Sequence, residues 1–522
     1  MPSRTRARGK KVVAAVSAVT ALALFAGCAV GPDTGPDIVR GDNPGADVTE
    51  TPRQPELGAP ERDLNWKPCE ADVAKRYDAK VPDGITVECA SYDMPVDPDG
   101  DDRNVISVGA MRASKSGTPR NAVPLVLTSG TDLPSSRTLL SLAGHGGAGL
   151  LDRHPIVAVD FRGTGIGSTV DCLSNAQRDV IGTNAAGPRR DAGERAADVG
   201  TAARAAADLC TETLSPDQLS YSITAAAADL EGLRDRWGVE RLALIGVGDG
   251  SSVALRYAAA HPDNVGRLVL DSPTGYNVAA REASAARAQG LQKSLQTWAQ
   301  RCAGAGCELG ADGAAMLGRV VSAGAAGDLD GISDTEVLAA VTTSIAVDDA
   351  DRAGLRRLGA AIADADRGDT AALRGYVDQA RSLRGTDGRL VGRCNDLRGR
   401  PGLQEIPGLA EEWSRGAPLT ALSTALDLAD CDGWGSTDAP AAPESLPVNP
   451  LILIGANDPF NGASAVETLS PLLVGVDAAP TSVTWDGLGF SVLAHSSCAG
   501  GILDDYLGAE PLKAPAQRAC PA

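Results

Sequence analysis

The sequence has few of the residues that most often bind metal ions. It contains only four histidines among 522 residues, and no two of its eleven cysteines form a C-x-x-C pair. Structural and catalytic zinc sites draw on histidine and cysteine at short spacing. Because the histidines are scattered along the chain, the sequence predicts neither a metal site nor a bound cofactor.

Positive charge is also scarce. Lysine and arginine number 48 against 67 aspartates and glutamates, which gives a formal net charge of −19. Five of the basic residues lie within the first 11 positions, so a mature chain without them would carry −24. A surface of this sign repels phosphate backbones and anionic lipid headgroups. We therefore expect no nucleic acid partner.

The chain begins with a short hydrophobic run. Residues 12–27 are apolar and follow the basic positions, as in a secretory signal, and they are too few to favour a permanent membrane span. The run ends in Leu-Phe-Ala-Gly-Cys28, which resembles a bacterial lipobox with phenylalanine in the usual place of leucine. We expect a signal peptide over residues 1–28 and a lipid on Cys28 that holds the exported protein on the outer face of the cell membrane. The alternative is ordinary signal cleavage, which would release an extracellular protein.

Composition divides the rest of the chain. Residues 29–60 combine proline with glycine, aspartate and glutamate and show no apolar period, which predicts a disordered linker. The remaining residues are too many for one hydrophobic core. We predict a core domain formed by residues 61–275 and 449–522, with residues 276–448 inserted between them.

The two core segments alternate strand and helix patterns. Short apolar runs bounded by glycine, proline or aspartate predict strands at 85–94, 105–112, 123–128, 156–160, 241–245, 267–270, 451–454 and 482–485. Helical patterns lie at 194–213, 224–237, 251–261, 463–473 and 496–507. This alternation is typical of the α/β class with a doubly wound, mostly parallel sheet. The inserted segment has helical periodicity throughout and predicts a helical cap.

One turn in this pattern has the spacing of a catalytic motif. Residues 246–250 read Gly-Val-Gly-Asp-Gly and join a predicted strand to a predicted helix, which resembles the nucleophile elbow of α/β-hydrolases. The nucleophile position falls on Gly248, which has no side chain. Centring the motif on Asp249 or Ser251 instead would put larger residues where the tight turn needs small ones.

Several further blocks carry a family resemblance. Residues 160–168 read Asp-Phe-Arg-Gly-Thr-Gly-Ile-Gly-Ser and resemble the D-x-R-G-x-G-x-S block of α/β-hydrolases, and residues 256–271 continue the likeness after the elbow. The C-terminal segment, 497–520, is similar to the end of the secreted actinobacterial tripeptidyl aminopeptidases. These are serine exopeptidases related to proline iminopeptidases. The resemblance covers residues 66–520 and implies an α/β-hydrolase fold with a helical cap.

The resemblance also assigns the catalytic positions. Members of the family use a Ser-Asp-His triad, whose serine position is Gly248 here. The acid position is Asp458, in Gly-Ala-Asn-Asp-Pro, and the histidine position is Phe490, in Gly-Leu-Gly-Phe-Ser. The oxyanion loop of the family is rich in G-G-P-G, whereas this chain has Gly130 and Thr131 in a different setting, Thr-Ser-Gly-Thr-Asp-Leu-Pro.

Other residues near these blocks are candidates for binding or for structure. Together with Gly130 and Thr131, Asp249 is a candidate ligand contact, although a carboxylate there would also favour a helix N-terminus. Ser251 and Ser252 are expected to help begin the helix by accepting its free N–H groups. We interpret the four histidines as structural or surface residues, with His495 and His145 as the nearest substitutes for the missing base: His145, His154, His261 and His495.

Ten cysteines remain after Cys28. An even number in an exported chain implies disulfides, and metal binding is disfavoured by the spacing. Several pairings are compatible with the sequence. Pairing of neighbours would close five local loops: Cys69–Cys89, Cys172–Cys210, Cys302–Cys307, Cys394–Cys431 and Cys498–Cys520.

Taken together, these patterns predict an exported lipoprotein of the tripeptidyl aminopeptidase type that lacks serine-peptidase activity. Its cleft would retain acidic groups suited to an amino terminus, so peptides or protein N-termini are the expected partners. Two alternatives stay open. The chain could be a working hydrolase that cleaves N-terminal peptides or esters through other residues, or a purely structural lipoprotein.

Overall fold

The computed structural model describes residues 53–100, 104–348 and 351–522. The predicted signal peptide, the lipidation site Cys28 and linker residues 29–52 lie outside this part of the chain. Within it, no helix combines the length and apolar character needed to cross a membrane.

The described residues contain one sheet of ten strands. The strands are β1 (Lys67–Pro68), β2 (Ile85–Pro95), β3 (Val105–Lys115), β4 (Leu125–Thr128), β5 (Ile156–Val159), β6 (Leu242–Val247), β7 (Val265–Asp271), β8 (Leu451–Asn457), β9 (Thr481–Leu488) and β10 (Ala516–Cys520). Their order is β1-β2-β3-β5-β4-β6-β7-β8-β9-β10. Pairings from β1 to β5 are antiparallel, and all pairings from β5 to β10 are parallel. This is the α/β-hydrolase fold, and the predicted fold class is confirmed.

The central strands of the parallel part are buried on both faces. In β6, Leu242 and Leu244 pack into one apolar cluster, while Ala243, Ile245 and Val247 pack into another. Alternate side chains of a strand point to opposite faces, so a continuous apolar run fits only a strand that is covered on both sides.

Helices cover the sheet and form the inserted segment. They are α1 (Glu70–Tyr77), α2 (Ser135–Gly144), α3 (Asn175–Gly182), α4 (Ala192–Leu214), α5 (Ile223–Trp237), α6 (Gly250–Ala260), α7 (Ala280–Ala305), α8 (Gly313–Ala326), α9 (Asp334–Val347), α10 (Arg352–Asp366), α11 (Ala371–Arg384), α12 (Asp387–Asp396), α13 (Ile406–Ser414), α14 (Ala421–Leu426), α15 (Ser470–Gly475), α16 (Val492–His495) and α17 (Ser497–Leu507). The predicted helix at 463–473 is a 3₁₀ helix, Ala463–Leu469, followed by α15.

Helices α7 to α14 lie between β7 and β8 in the chain, and we call them the cap. Part of the cap has an apolar cluster of its own, in which Leu295 and Trp298 of α7 meet Val341 of α9 and Ile362 of α10. A second cluster joins the cap to a helix outside it, because Val199 of α4 packs with cap residues such as those of α13 and α14. The walls of the cap therefore include residues that precede the elbow in sequence.

The structure differs from the sequence expectation just before residue 61. Part of the predicted linker is bound to the core. The side chain of Gln54 donates to the carbonyl of Tyr506 (2.8 Å), and Arg267 donates to the carbonyl of Pro55 (2.9 Å). Leu57 also packs against the core. A prediction from composition missed this contact, because the partners are distant in sequence.

Five disulfides connect the ten cysteines, in the neighbour pairs expected from the sequence: Cys69–Cys89, Cys172–Cys210, Cys302–Cys307, Cys394–Cys431 and Cys498–Cys520. Two of them lie in the cap and one fastens the C-terminal strand β10 to α17. Such cross-links stabilise a fold by restricting the unfolded chain.

Candidate functional site

The turn between β6 and α6 has the backbone of a nucleophile elbow. Gly248 has φ +56°, a left-handed conformation that glycine adopts without steric strain. Its N–H donates to the carbonyl of Asp271 (2.8 Å), and its carbonyl accepts from Ser251 (3.0 Å). The flanking glycines are required by space, because a Cβ on Gly246 or Gly250 would overlap the neighbouring backbone. The structure thus places Gly248 where the sequence analysis expects the nucleophile position.

Other side chains already fill the space in front of Gly248. A Cβ built there would overlap the Oδ2 atom of Asp132 and would lie 2.8 Å from two ring carbons of Phe490. Real Cβ atoms are essentially never that close to other heavy atoms. The turn therefore lacks a nucleophile and also lacks room for one without movement of Asp132 or Phe490.

Asp132 makes hydrogen bonds to the elbow and to the turn that follows β8. Its Oδ2 accepts from the backbone N–H of Asp249 (2.9 Å) and from the side-chain amide of Asn461 (3.0 Å). In α/β-hydrolases the N–H of the residue after the nucleophile is one of the two donors of the oxyanion hole. Here that donor is bound to a carboxylate of the protein itself.

Sequence analysis did not single out Asp132. The available signal was a carboxylate two residues after Gly130, in the loop that follows β4. A carboxylate in a loop that lies at the elbow is expected to be buried. A buried carboxylate is usually hydrogen-bonded, so Asp132 could have been predicted to bind a donor of the turn.

Gly130, Thr131 and Asp249, the three candidate ligand contacts, bind one another. Asp249 Oδ2 accepts from the N–H (3.1 Å) and the hydroxyl (2.8 Å) of Thr131. A Cβ on Gly130 would overlap the backbone of Asp249, so only glycine allows this approach. Burial raises the pKa of Asp249, and the charge of Asp132 raises it further, while the Thr131 bonds oppose the shift. These residues fasten the loop after β4 to the elbow.

Asp458 lies in the turn after β8, and half of its carboxylate is engaged. Oδ1 accepts from the backbone N–H groups of Phe460 (2.7 Å) and Asn461 (3.0 Å). Oδ2 is buried, and no donor among the described residues forms a well-aligned hydrogen bond with it. The hydroxyl of Ser272 donates to Asp271 (3.2 Å) and is also near enough to Asp458 to lower the pKa of its carboxyl. A triad acid normally accepts an imidazole N–H, and no such donor fills this place.

The surroundings of Asp458 favour its protonated form. Burial raises the pKa of this carboxyl to about 7, and the charge of Asp132 acts in the same direction. The two backbone N–H groups oppose the shift without cancelling it. A group that titrates near neutral pH is a weaker fixed counter-charge for an imidazolium than a fully ionised carboxylate.

Phe490 follows β9 and lies between the elbow and the turn that holds Asp458. The residue is 1% exposed, and its ring centroid is 4.9 Å from that of Phe460 at a tilted angle. Such aromatic pairs are favourable packing contacts. The structure therefore brings Gly248 and Phe490 into contact and places Phe460, two residues after Asp458, against the same ring.

The histidines have other neighbours. The ring of His495 is stacked on Trp485 at 5.7 Å, with Nε2 at 3.4 Å from the carbonyl of Ala346. His145 stacks on His495 at 6.3 Å. The three atoms nearest to the Cβ position of Gly248 belong to Asp132 and Phe490, not to a histidine. His154 and His261 contact Val123 and Tyr257.

The hydroxyl of Ser251 differs from its expected role. It donates to the carbonyl of Gly246 (3.0 Å) rather than accepting a helix N–H, because the helix turns directly out of the elbow and brings that carbonyl within reach. Ser251 is fully buried. It is therefore held inside the turn and does not face the space in front of Gly248.

Comparison with known proteins agrees with this topology. Residues 145–312 match a family model described as the alpha/beta hydrolase fold. Curated relatives named serine protease Hip1, from Mycobacterium bovis and Mycobacterium tuberculosis, are 26% identical over 263 residues, which is 50% of this chain and 48% of theirs. The chain thus spans about half the length of these relatives.

Solved structures with similar topology include two esterases. A thermophilic esterase from Thermogutta terrifontis is 12% identical, with a TM-score of 0.35 over 80% of this chain and 97% of that one. Esterase RhEst1 from Rhodococcus sp. ECU1013 is 13% identical, with a TM-score of 0.36 over 78% and 96%.

Proposed function

We propose that this chain, a protein with the α/β-hydrolase fold, is a non-catalytic binding protein of the tripeptidyl aminopeptidase type. Its ligand is of the peptide class and enters the cleft between the sheet and the cap. The observation that carries the proposal is the elbow itself: Gly248 has no side chain, and the space in front of it is filled by Asp132 and Phe490.

Three separate changes argue against peptidase chemistry. Glycine supplies no hydroxyl to attack a carbonyl, and phenylalanine cannot accept a proton. Loss of the serine or the histidine of a triad lowers kcat by about 10⁶, because the members act as a unit. An oxyanion hole alone keeps the reaction rate about 10³–10⁴ times that in water. Here one of the expected donors, the N–H of Asp249, is already bound to Asp132 (2.9 Å).

The peptide class of ligand is supported by the resemblance to serine exopeptidases and by the relatives named as a serine protease, which match half of the chain. A fold keeps the shape of a cleft when single catalytic residues are lost, and function resides in the site rather than in the fold. The chain would therefore keep the cleft of a peptidase and bind a peptide without cleaving it.

The proposed location is the outer face of the cell membrane, through a lipid on Cys28. Five disulfides support an oxidising compartment, because such bonds persist mainly in exported proteins. Mass spectrometry of the N-terminal peptide tests this part. A diacylglyceryl mass on Cys28 supports the anchor, and an unmodified or absent Cys28 contradicts it.

The catalytic part is tested by turnover. Purified protein is assayed with tripeptide-chromophore amides and with a simple aryl ester, beside the Asp458→Ala variant. We expect both proteins to hydrolyse these substrates no faster than buffer. Robust turnover by the wild type that Asp458→Ala abolishes would support the alternative of an active hydrolase with a substitute nucleophile in the same cleft.

A further inference from the structure

A cavity of about 190 Å³ lies within the cap and carries an unusual number of arginines. Its wall includes side chains of α3, α7, α9, α11, α12 and α14. It is smaller than the usual 300–1,000 Å³ of sites for drug-sized ligands. Six arginines and four carboxylates line it together with leucines, valine and alanines.

Half of these arginines are neutralised within the wall. The pairs are Arg178–Asp387, Arg381–Glu336 and Arg393–Asp430. The remaining three arginines are Arg287, Arg384 and Arg389. Asp427 lies 3.9 Å from Arg287 and also accepts from Asn184 (3.0 Å). The charges of Asp132 and Asp427 also act on Arg384 and Arg389, and they raise the pKa of both groups against the effect of burial.

Arg389 and Arg287 both donate hydrogen bonds to backbone carbonyls. Arg389 donates to the carbonyls of Thr131 (2.9 Å) and Arg384 (3.3 Å). Arg287 donates to the carbonyl of Phe460 (3.1 Å). Burial lowers the pKa of Arg389 to about 10, and the charges of Arg393 and Arg287 act in the same direction. Two oriented guanidinium groups thus share one region without full neutralisation.

Arg384 is the least satisfied of the three. Its guanidinium lies over the ring of Phe460, 3.9 Å from the centroid, and its Nε is buried without a hydrogen bond. Within the described part of the chain, the guanidinium has neither an ion pair nor a hydrogen-bond acceptor. Burial lowers the pKa of Arg384, and the neighbouring Arg389 and Arg287 lower it further. Arg384 is partly buried, and a guanidinium whose Nε is shielded from water without an acceptor is costly, so proteins retain such groups mainly where a partner binds.

We infer that this cavity binds a small carboxylate with an apolar body, the carboxylate lying against Arg384 and Arg389 and the body against Leu291, Leu338 and Val377. A carboxylate accepts two parallel N–H groups from a guanidinium fork, so it would satisfy Arg384 directly. An amine would add a further cation to an already basic wall. This inference rests on the proposed binding function and deepens it: the end of a peptide that fits the cavity is the carboxylate, not the amino terminus expected from the sequence.

The first experiment is calorimetric titration of the full-length protein with hexanoate, hexylamine and inorganic phosphate. We expect saturable binding of hexanoate, none of hexylamine, and at least tenfold weaker binding of phosphate, because phosphate has no apolar body. Absence of saturable hexanoate binding, or equal binding of hexylamine, would overturn the proposal. Phosphate that binds as tightly as hexanoate would overturn the assignment of an apolar body.

The second experiment uses Arg384→Met, which leaves an unbranched apolar chain over Phe460. We expect hexanoate to bind at least tenfold more weakly, because a charge-assisted pair is lost. We expect the Tm to be unchanged or higher. The matched control is Arg319→Met, an exposed cap arginine paired with Asp366 (2.6 Å), which should bind hexanoate as the wild type does. Unchanged hexanoate binding by Arg384→Met would contradict the proposal.

Two features keep the result interpretable. If Arg384→Met does not fold, Arg389→Met removes the second guanidinium placed against the carboxylate and should also weaken hexanoate binding at least tenfold; unchanged binding there contradicts the proposal. Hexanoate has no bond that a hydrolase cleaves. Failure of hexanoate to bind therefore leaves the turnover test untouched, and turnover of amides or esters would contradict the proposed function without contradicting this site.

Discussion

The ring of Phe490 packs against the turn at Gly248, with Cε2 and Cζ each 2.8 Å from the position that a Cβ would take. A serine and a histidine in these two places would share a proton. A glycine and a phenylalanine share only van der Waals contact. The packing of this pair has consequences for stability, for titration and for engineered activity.

The first prediction concerns a side chain at the elbow. Gly248→Ala should lower the free energy of unfolding by about 1–3 kcal/mol, because the new methyl group overlaps Asp132 and Phe490. Urea unfolding measures the change. The control is Gly375→Ala in α11, where no atom lies within 4 Å of the new methyl group and the helix should be stabilised by up to about 1 kcal/mol. Equal effects of the two variants would contradict the packing described for Gly248.

The second prediction concerns pH. The pKa of Asp458 is raised to about 7 in the folded protein, against about 4 in an unfolded chain. The folded state then binds the proton more tightly, so the free energy of unfolding falls as pH rises from about 4 to about 7. Asp458→Asn removes this contribution, which is on the order of 4 kcal/mol.

The measurement is the Tm of both proteins between pH 5 and pH 8. Asp396 and Asp430 also have their pKa raised to about 7, chiefly by burial, so the variant keeps part of the slope. We expect a shallower decline for Asp458→Asn than for the wild type. Parallel curves would show that Asp458 does not titrate in this range.

The third prediction concerns a buried ion pair of the core. Arg162 binds Asp229 through two contacts (2.6 and 3.0 Å) and also donates to the carbonyl of Ser220 (2.9 Å). Arg162→Ala leaves the Asp229 carboxylate buried and unpaired, which should cost about 3–5 kcal/mol. Chemical denaturation measures it, with the exposed Arg319→Ala as the control expected to change little. A loss as small as that of the control would contradict the burial of this pair.

Features of the fold that depend on residues close together in sequence could be predicted, whereas features that depend on distant residues could not. The apolar run of β6, the glycines of the elbow and the neighbouring cysteine pairs are local patterns, and all lie in the structure as expected. Strand β1 has two residues and β10 is largely exposed, so neither carries an apolar signal, and both were missed.

The chemistry of the site depends on contacts between distant residues. Asp132 reaches Asp249 and Asn461 across more than 100 positions of sequence, and Arg384 meets Phe460 only because the cap folds over the sheet. No periodicity or spacing encodes such contacts. The sequence predicts Gly248 and Phe490 at the nucleophile and base positions, whereas only the fold shows which side chains lie around them.

The fourth prediction is a graded restoration of activity. Gly248→Ser alone should give no turnover, because an unactivated hydroxyl is a weak nucleophile. Gly248→Ser with Phe490→His supplies a base, and a further Asp132→Ala frees the N–H of Asp249 for an oxyanion. One such donor contributes about 10²–10³ in kcat, so the triple variant should exceed the double variant at least tenfold. Ester hydrolysis measures the series, and equal rates of double and triple variants would show that Asp132 does not obstruct the site.

The absence of a nucleophile is tested most directly by labelling the wild-type protein with a fluorophosphonate and measuring its intact mass. We predict no covalent adduct, because Gly248 has no Oγ and the buried hydroxyl of Ser251 donates to Gly246. The Gly248→Ser/Phe490→His/Asp132→Ala variant is the positive control. A single adduct on the wild type, mapped to a residue beside Gly248 and lost in Asp458→Ala, would contradict the account.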